Sequence, residues 1–143
     1  MNYLSDSFVS ENNIIFRKYK PIKKIGNGAF GNIYSVINLK DKKYYALKSE
    51  KLNPNKKLLE SEAYYLFTLQ GFGIPKFISF GHTKNYNILI EELLDKSLHK
   101  IFIENKNKCN IIDICLIGIQ LLDRLEWIHS KNIIYIDIKP EIF

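Results

Sequence analysis

Residues 25–34 read Ile25-Gly26-Asn27-Gly28-Ala29-Phe30-Gly31-Asn32-Ile33-Tyr34, and Tyr45-Ala46-Leu47-Lys48 follows after an alternating stretch. Glycines at 26, 28 and 31 let a hairpin turn tightly and bring bare backbone N–H groups close to phosphate oxygens, an approach that a Cβ would obstruct. Lys48 supplies the compensating positive charge. The same glycine spacing serves dinucleotide-binding folds, where it joins a strand to a helix, so the flanks decide between the two. Past Gly31 the run Ile33-Tyr34-Ser35-Val36-Ile37 is β-branched and aromatic, Asn38 to Lys43 is a polar turn, and Tyr44-Tyr45-Ala46-Leu47 is a second apolar run. That pattern is strand, turn, strand. No helix opens at the third glycine, as a Rossmann unit requires.

Working outward, residues Phe16 to Ile25 alternate as a first strand, giving a three-stranded antiparallel start. Asn53-Pro54-Asn55 is a turn. From Lys56 the chain carries good helix formers, with apolar residues at 58, 59, 63, 66, 67 and 69, the spacing of an amphipathic helix. Gly71, Gly73 and Pro75 end it. Two more strands, Lys76 to Phe80 and Tyr86 to Glu91, flank the turn Gly81 to Asn85. Helical periodicity then runs over Ser97 to Asn105 and Ile111 to Ser130. The expected fold class is α+β: a five-stranded antiparallel sheet plus one helix in 16–94, a loose tail in 1–15, and an incomplete helical region in 95–143.

The last helix is apolar around much of its circumference and so expects neighbours on several sides. Each core-sized aliphatic left in water forgoes about 1.5–3 kcal/mol, so half a dozen forgo roughly 9–18 kcal/mol by the same measure. A whole domain has about 5–15 kcal/mol net. The helical piece is therefore expected to be marginal alone and to need a partner over its exposed face.

With 143 residues, 46% hydrophobic and 25% charged, the chain has the composition of a globular fold. The net charge is +6, but every cation except Arg17 and Arg124 is lysine, amid abundant Ile, Asn and Tyr. That is the composition of an AT-rich coding sequence. A nucleic-acid surface calls for clustered arginine and exposed aromatics, and no nucleic-acid partner is expected. Cys109 and Cys115 lack metal-ligand spacing and read as buried free thiols. No early apolar segment with a cleavage site is present, and Asp113, Gln120 and Asp123 break the run after Ile111. Neither a signal peptide nor a membrane span is expected, which points to a reducing interior, the cytoplasm or nucleus of a host cell. His129 reads as a helix-end residue, His82 and His99 as surface.

The stretches IGNGAFGNIY, YALKSE, ESEAYY, GFGIP, YNILIEELL with Ser97-Leu98, and WIHSKNIIYIDIKPEIF occur in an order that resembles the eukaryotic protein kinases. Their wording is similar to the casein kinase 1 family in particular, from about Lys18 to Phe143. The resemblance implies a Ser/Thr kinase that uses ATP with Mg²⁺ and transfers the γ-phosphoryl group to a hydroxyl of a protein substrate. It places Gly26, Gly28 and Gly31 over the phosphates, packs Ile25, Ile33 and Ala46 on the adenine, and sets Lys48 on the α- and β-phosphates. Lys48 needs a helix carboxylate to orient it; Glu60, in E-x-x-x-Y with Tyr64, fits the family, and Glu62 on another face of the helix is the second choice. Glu92 and Leu94 would offer backbone groups to the adenine edge.

Departures accompany the resemblance. Glu91 stands where the family has an apolar residue at the back of the pocket, and a carboxylate there is costly unless paired. It either competes for Lys48 or turns to solvent. In YIDIKPEIF, Asp137 keeps the position of the proton acceptor and Lys139 that of the phosphoryl-neutralising cation, whereas Tyr135, Ile136 and Ile142 replace the family's histidine, arginine and metal-binding asparagine. An aliphatic side chain cannot ligate Mg²⁺, so no protein metal ligand is assigned. The sequence stops at Phe143, before the position of the family's DFG aspartate. The implied activity is thus expected to be impaired in this chain, and the alternative is a non-catalytic remnant that binds ATP or a partner.

Overall fold

The computed structural model describes residues 14–28, 31–53, 55, 57–106 and 108–141. Of the tail expected to be loose over 1–15, residues 1–13 lie outside them, as does the replacement at Ile142, while Ile15 is corrected to a buried core residue. The elements are β1 (Tyr19–Gly28), β2 (Gly31–Asn38), β3 (Tyr44–Lys51), α1 (Leu58–Thr68), β4 (Phe77–His82), β5 (Tyr86–Glu92), α2 (Leu98–Glu104) and α3 (Ile111–Ser130). The architecture is α+β, as the sequence pattern indicates. All neighbouring strands pair antiparallel in one five-stranded sheet of order β1-β2-β3-β5-β4.

The chain divides into two compact units, one of residues 1–70 and 75–93, the other of residues 71–74 and 94–143. In the first, alternate side chains of the sheet build a separate core on each face. Tyr34, Val36, Leu47, Ile88 and Ile90 form one with Ile15 and Tyr19. On the other face Leu89 packs with Leu59 and Ala63 of α1. A strand that is buried on both sides reads as a continuous apolar run, and Ile88-Leu89-Ile90 is fully buried.

The first strand begins later than the alternation suggests. Phe16 and Arg17 take positive φ of 51° and 55°, and Ile15 and Tyr19 exchange backbone hydrogen bonds of 2.8 and 2.9 Å. This tight turn delivers both side chains to the same core, which outweighs extending Phe16 to Lys18 as strand.

α1 lacks a side-chain cap from Lys57. Glu50 of β3 takes that role across space: its buried carboxylate accepts from the Leu59 N–H at 3.3 Å and from Asn87 Nδ2 at 3.4 Å. A carboxylate there also complements the positive end of the helix dipole.

In the second unit, Ser97 caps α2 by accepting from the Lys100 N–H, and Asn110 caps α3 by accepting from the Ile112 N–H, the exchange that Ser and Asn at N-caps provide. Gly73, at φ +78°, lies where an added Cβ would meet the Arg124 side chain, and Arg124 Nη1 donates to the Phe72 carbonyl at 2.7 Å. Ile128 is the one buried residue of α3, while Ile111, Ile112, Leu116, Ile119 and Leu122 are exposed. The cysteine expectation is corrected: Cys109 and Cys115 are both exposed. Cys109 belongs to the polar segment before α3, and Cys115 lies on α3, where burial is confined to Ile128. No helix among the described residues is long and apolar enough to cross a membrane.

Candidate functional site

The glycine stretch closes as a hairpin. β1 and β2 pair down to Gly28 opposite Gly31, and between them residues 29 and 30 lie outside the described set. Gly31 is required by contact: with φ at +151°, an added Cβ would sit 2.0 Å from the Ser49 carbonyl oxygen of β3. Gly26 is different, since a Cβ there meets nothing nearer than Ile33 at 4.0 Å. A side chain there would make only ordinary contact, and the bare backbone is the kind of cradle that an anionic ligand can approach.

Residues opposite one another across antiparallel strands point to the same face. Gly26, Ile33, Lys48 and Leu89 form one such row across β1, β2, β3 and β5; Ser35, Ala46 and Glu91 form the next. Both rows lie on the face that α1 covers, because Leu89 belongs to the core it shares with Leu59 and Ala63. Ala46 is buried, Ile33 half-buried, and Ile25 exposed at an irregularity in the β1–β2 pairing between Lys24 and Gly26.

Lys48 is the charged centre of this face. Its ammonium donates to Glu62 Oε1 at 2.6 Å and lies 2.8 Å from Glu91 Oε1. The expected partner, Glu60, is corrected: it is exposed and paired instead with Lys57 at 3.5 Å. The helix face explains the choice. Leu59, Ala63 and Leu66 point to the sheet, and residue 62 falls in that stripe at i+3 from Leu59 and i−4 from Leu66, whereas residue 60 is turned about 100° from Leu59. Tyr64, the other half of the E-x-x-x-Y match, is likewise exposed. Glu91 does not turn to solvent; its side chain is 11% exposed, against 28% for Glu62.

Burial by itself would lower the Lys48 ammonium, but the Glu91 and Glu62 carboxylates outweigh it and hold the group above the ordinary lysine value. For Glu91 burial dominates and raises the carboxyl, opposed by Lys48 and reinforced by the charge of Glu62. The second oxygen of Glu62, Oε2, is buried without a hydrogen-bond partner. The site therefore holds more anionic acceptors than its one ammonium satisfies.

At the end of β5 the Glu92 N–H donates to the Lys76 carbonyl at 2.9 Å, and the Glu92 carboxylate accepts from the Lys76 N–H at 3.0 Å. Its N–H is thus committed to the chain. Leu94 is exposed and belongs to the second unit. There too, Asp137 and Lys139 are both exposed and joined at 2.6 Å. That bond raises the Lys139 ammonium. Nearby, the Pro140 carbonyl accepts from the His99 N–H at 2.9 Å, tying this segment to the start of α2.

The site's donors suit an anion: backbone at a bare glycine hairpin and an oriented ammonium. Among the described residues no group of three or more His, Cys, Asp or Glu is placed together. Glu50 was not singled out by sequence reading; its signal is the period of two from Lys48, which puts it on the helix-covered face. Compared with known families, the model of the protein kinase domain matches residues 19–142.

Proposed function

Because the chain belongs to the protein kinase domain family, we propose that its first unit binds ATP, with the glycine hairpin over the phosphates and Lys48 on the α- and β-phosphates. The observation that carries this reading is the Lys48 ammonium, in the row with Gly26 and Ile33 and held at 2.6 Å by a carboxylate of the packed helix. Glu62 is assigned the orienting role and Ala46, Ile33 and Ile25 the apolar contact with the base. The reaction is transfer of the γ-phosphoryl group from ATP to a serine or threonine hydroxyl of a protein, of casein kinase 1 type on the motifs IGNGAFGNIY, GFGIP and WIHSKN. Asp137 accepts the hydroxyl proton and Lys139 offsets charge on the moving phosphoryl group, roles suited to an exposed carboxylate and ammonium. In the free chain these two neutralise one another, so substrate must exchange that bond for its own. Mg²⁺, when bound with ATP in this family, neutralises phosphate charge.

A non-catalytic nucleotide-binding role is the second reading, favoured by Tyr135 and Ile136 in place of the family's histidine and arginine. A phosphotransfer assay on casein distinguishes the two. Incorporation that falls by at least about a hundredfold in Asp137→Asn supports catalysis, in line with the worth of a positioned base; equal counts for both chains retire it. Thermal unfolding with Mg-ATP tests binding itself: a rise in midpoint for the native chain that is absent in Lys48→Met supports the site, and no rise in either rejects it.

A further inference from the structure

The Lys48 ammonium has three N–H donors and faces two carboxylates, Glu62 from α1 and Glu91 from β5. One lysine against two glutamates leaves the cluster at net −1, where a single Lys–Glu pair would be neutral. The orphaned Glu62 Oε2 marks the same excess. A phosphate on Lys48 would be a third anion on one ammonium. Water can do little to relieve this, because Glu91 is the most buried of the three side chains.

We propose that Glu91 is a competing anion for Lys48, so that a nucleotide phosphate engages the ammonium only as Glu91 releases it and takes up a proton. This rests on the reading that Lys48 binds ATP phosphates. Glu91 is the group to be protonated rather than Glu62, since it is the deeper of the two and burial already favours its neutral form. Its charged surroundings are Lys48 from β3 and Glu62 from α1. Glu50, further along β3 on the same face, is occupied by the Leu59 N–H and Asn87, β4 sets uncharged Phe77 opposite Glu91, and β2 contributes Ser35 to the row. Among the described residues, Lys48 is the one cation paired with Glu91.

Glu91 is thereby a specificity residue: it penalises phosphate-bearing ligands more than the bare nucleoside. The test is calorimetric titration of the full chain with Mg-ATP and with adenosine, at about pH 6, 7 and 8 and in two buffers of different ionisation enthalpy. The native chain is compared with Glu91→Gln and with Glu91→Met, so that one folded variant suffices. At about pH 8 both variants bind Mg-ATP about tenfold more tightly than the native chain, a coupling of ordinary size. The native chain gains affinity toward pH 6 and takes up a proton that neither variant does, the titration of ATP itself being common to all three. Adenosine shows neither the tenfold gain nor the pH-linked proton uptake seen with Mg-ATP. Parallel pH profiles for Mg-ATP in all three chains, or weaker Mg-ATP binding by both variants at about pH 8, overturn the proposal while leaving nucleotide binding intact. Absence of binding by either ligand to any of the three removes the nucleotide reading, and the proposal with it.

Discussion

Lys48 shows how much one side chain's setting decides. Its stabilising ion pairs are intermediate in exposure, so their worth lies between the near-zero of surface pairs and the several kcal/mol of fully buried ones. Replacing Glu62 by Gln should cost about 1–2 kcal/mol in urea unfolding, whereas Glu60→Gln should stay within about 0.5 kcal/mol because its pair with Lys57 is exposed. Equal effects for the two would contradict the helix-face assignment. Lys48 also has a signature in pH. Its folded-state value is raised by its carboxylates despite burial, so its contribution is fully present below the ordinary lysine value and is lost as pH rises through the raised one. Alkaline unfolding curves should therefore fall more steeply above about pH 10 in the native chain than in Lys48→Met, which starts lower and has no such proton to lose.

At the scale of elements, α1 depends on a strand for its start. With no cap from Lys57, its first turn rests on Glu50, so Glu50→Ala should cost about 1–2 kcal/mol, the range for a lost cap. It should also accelerate amide exchange at Leu59 ahead of the rest of α1. Slow exchange at Leu59 in that variant would show that the helix start is secured otherwise. The coupling is functional in consequence, since α1 carries Glu62 to Lys48. The strands, the glycine hairpin and the span of α3 were legible because their patterns are local: periods of two and of 3.6, bounded by Gly, Pro and Asn. Glu60 was misassigned because E-x-x-x-Y matches in spacing only, while the face a helix presents depends on which apolar stripe the sheet accepts.

For the molecule as a whole, the uneven burial of its two units is the dominant feature. The sheet unit holds both core clusters, while α3 exposes Ile111, Ile112, Leu116, Ile119 and Leu122, an apolar surface of the kind that marks interaction or aggregation. The chain should bind an apolar fluorescent dye while folded and self-associate with rising concentration. Ile112→Lys with Ile119→Lys should reduce both without lowering the unfolding midpoint of the sheet unit. Dye binding unchanged by these substitutions would place the sticky surface elsewhere.

The amino-acid order alone was enough for the α+β class, the antiparallel strands, the hairpin of Gly26, Gly28 and Gly31 and the central place of Lys48, since each follows from steric and hydrophobic rules that act over a few residues. Which carboxylates reach Lys48 was decided only by tertiary packing. Glu62 comes from α1 and Glu91 from β5, and they meet Lys48 because β5 pairs with β3 and α1 docks Leu59 and Ala63 onto Leu89. Charge interactions depend on distance and burial, and neither is a property of sequence spacing.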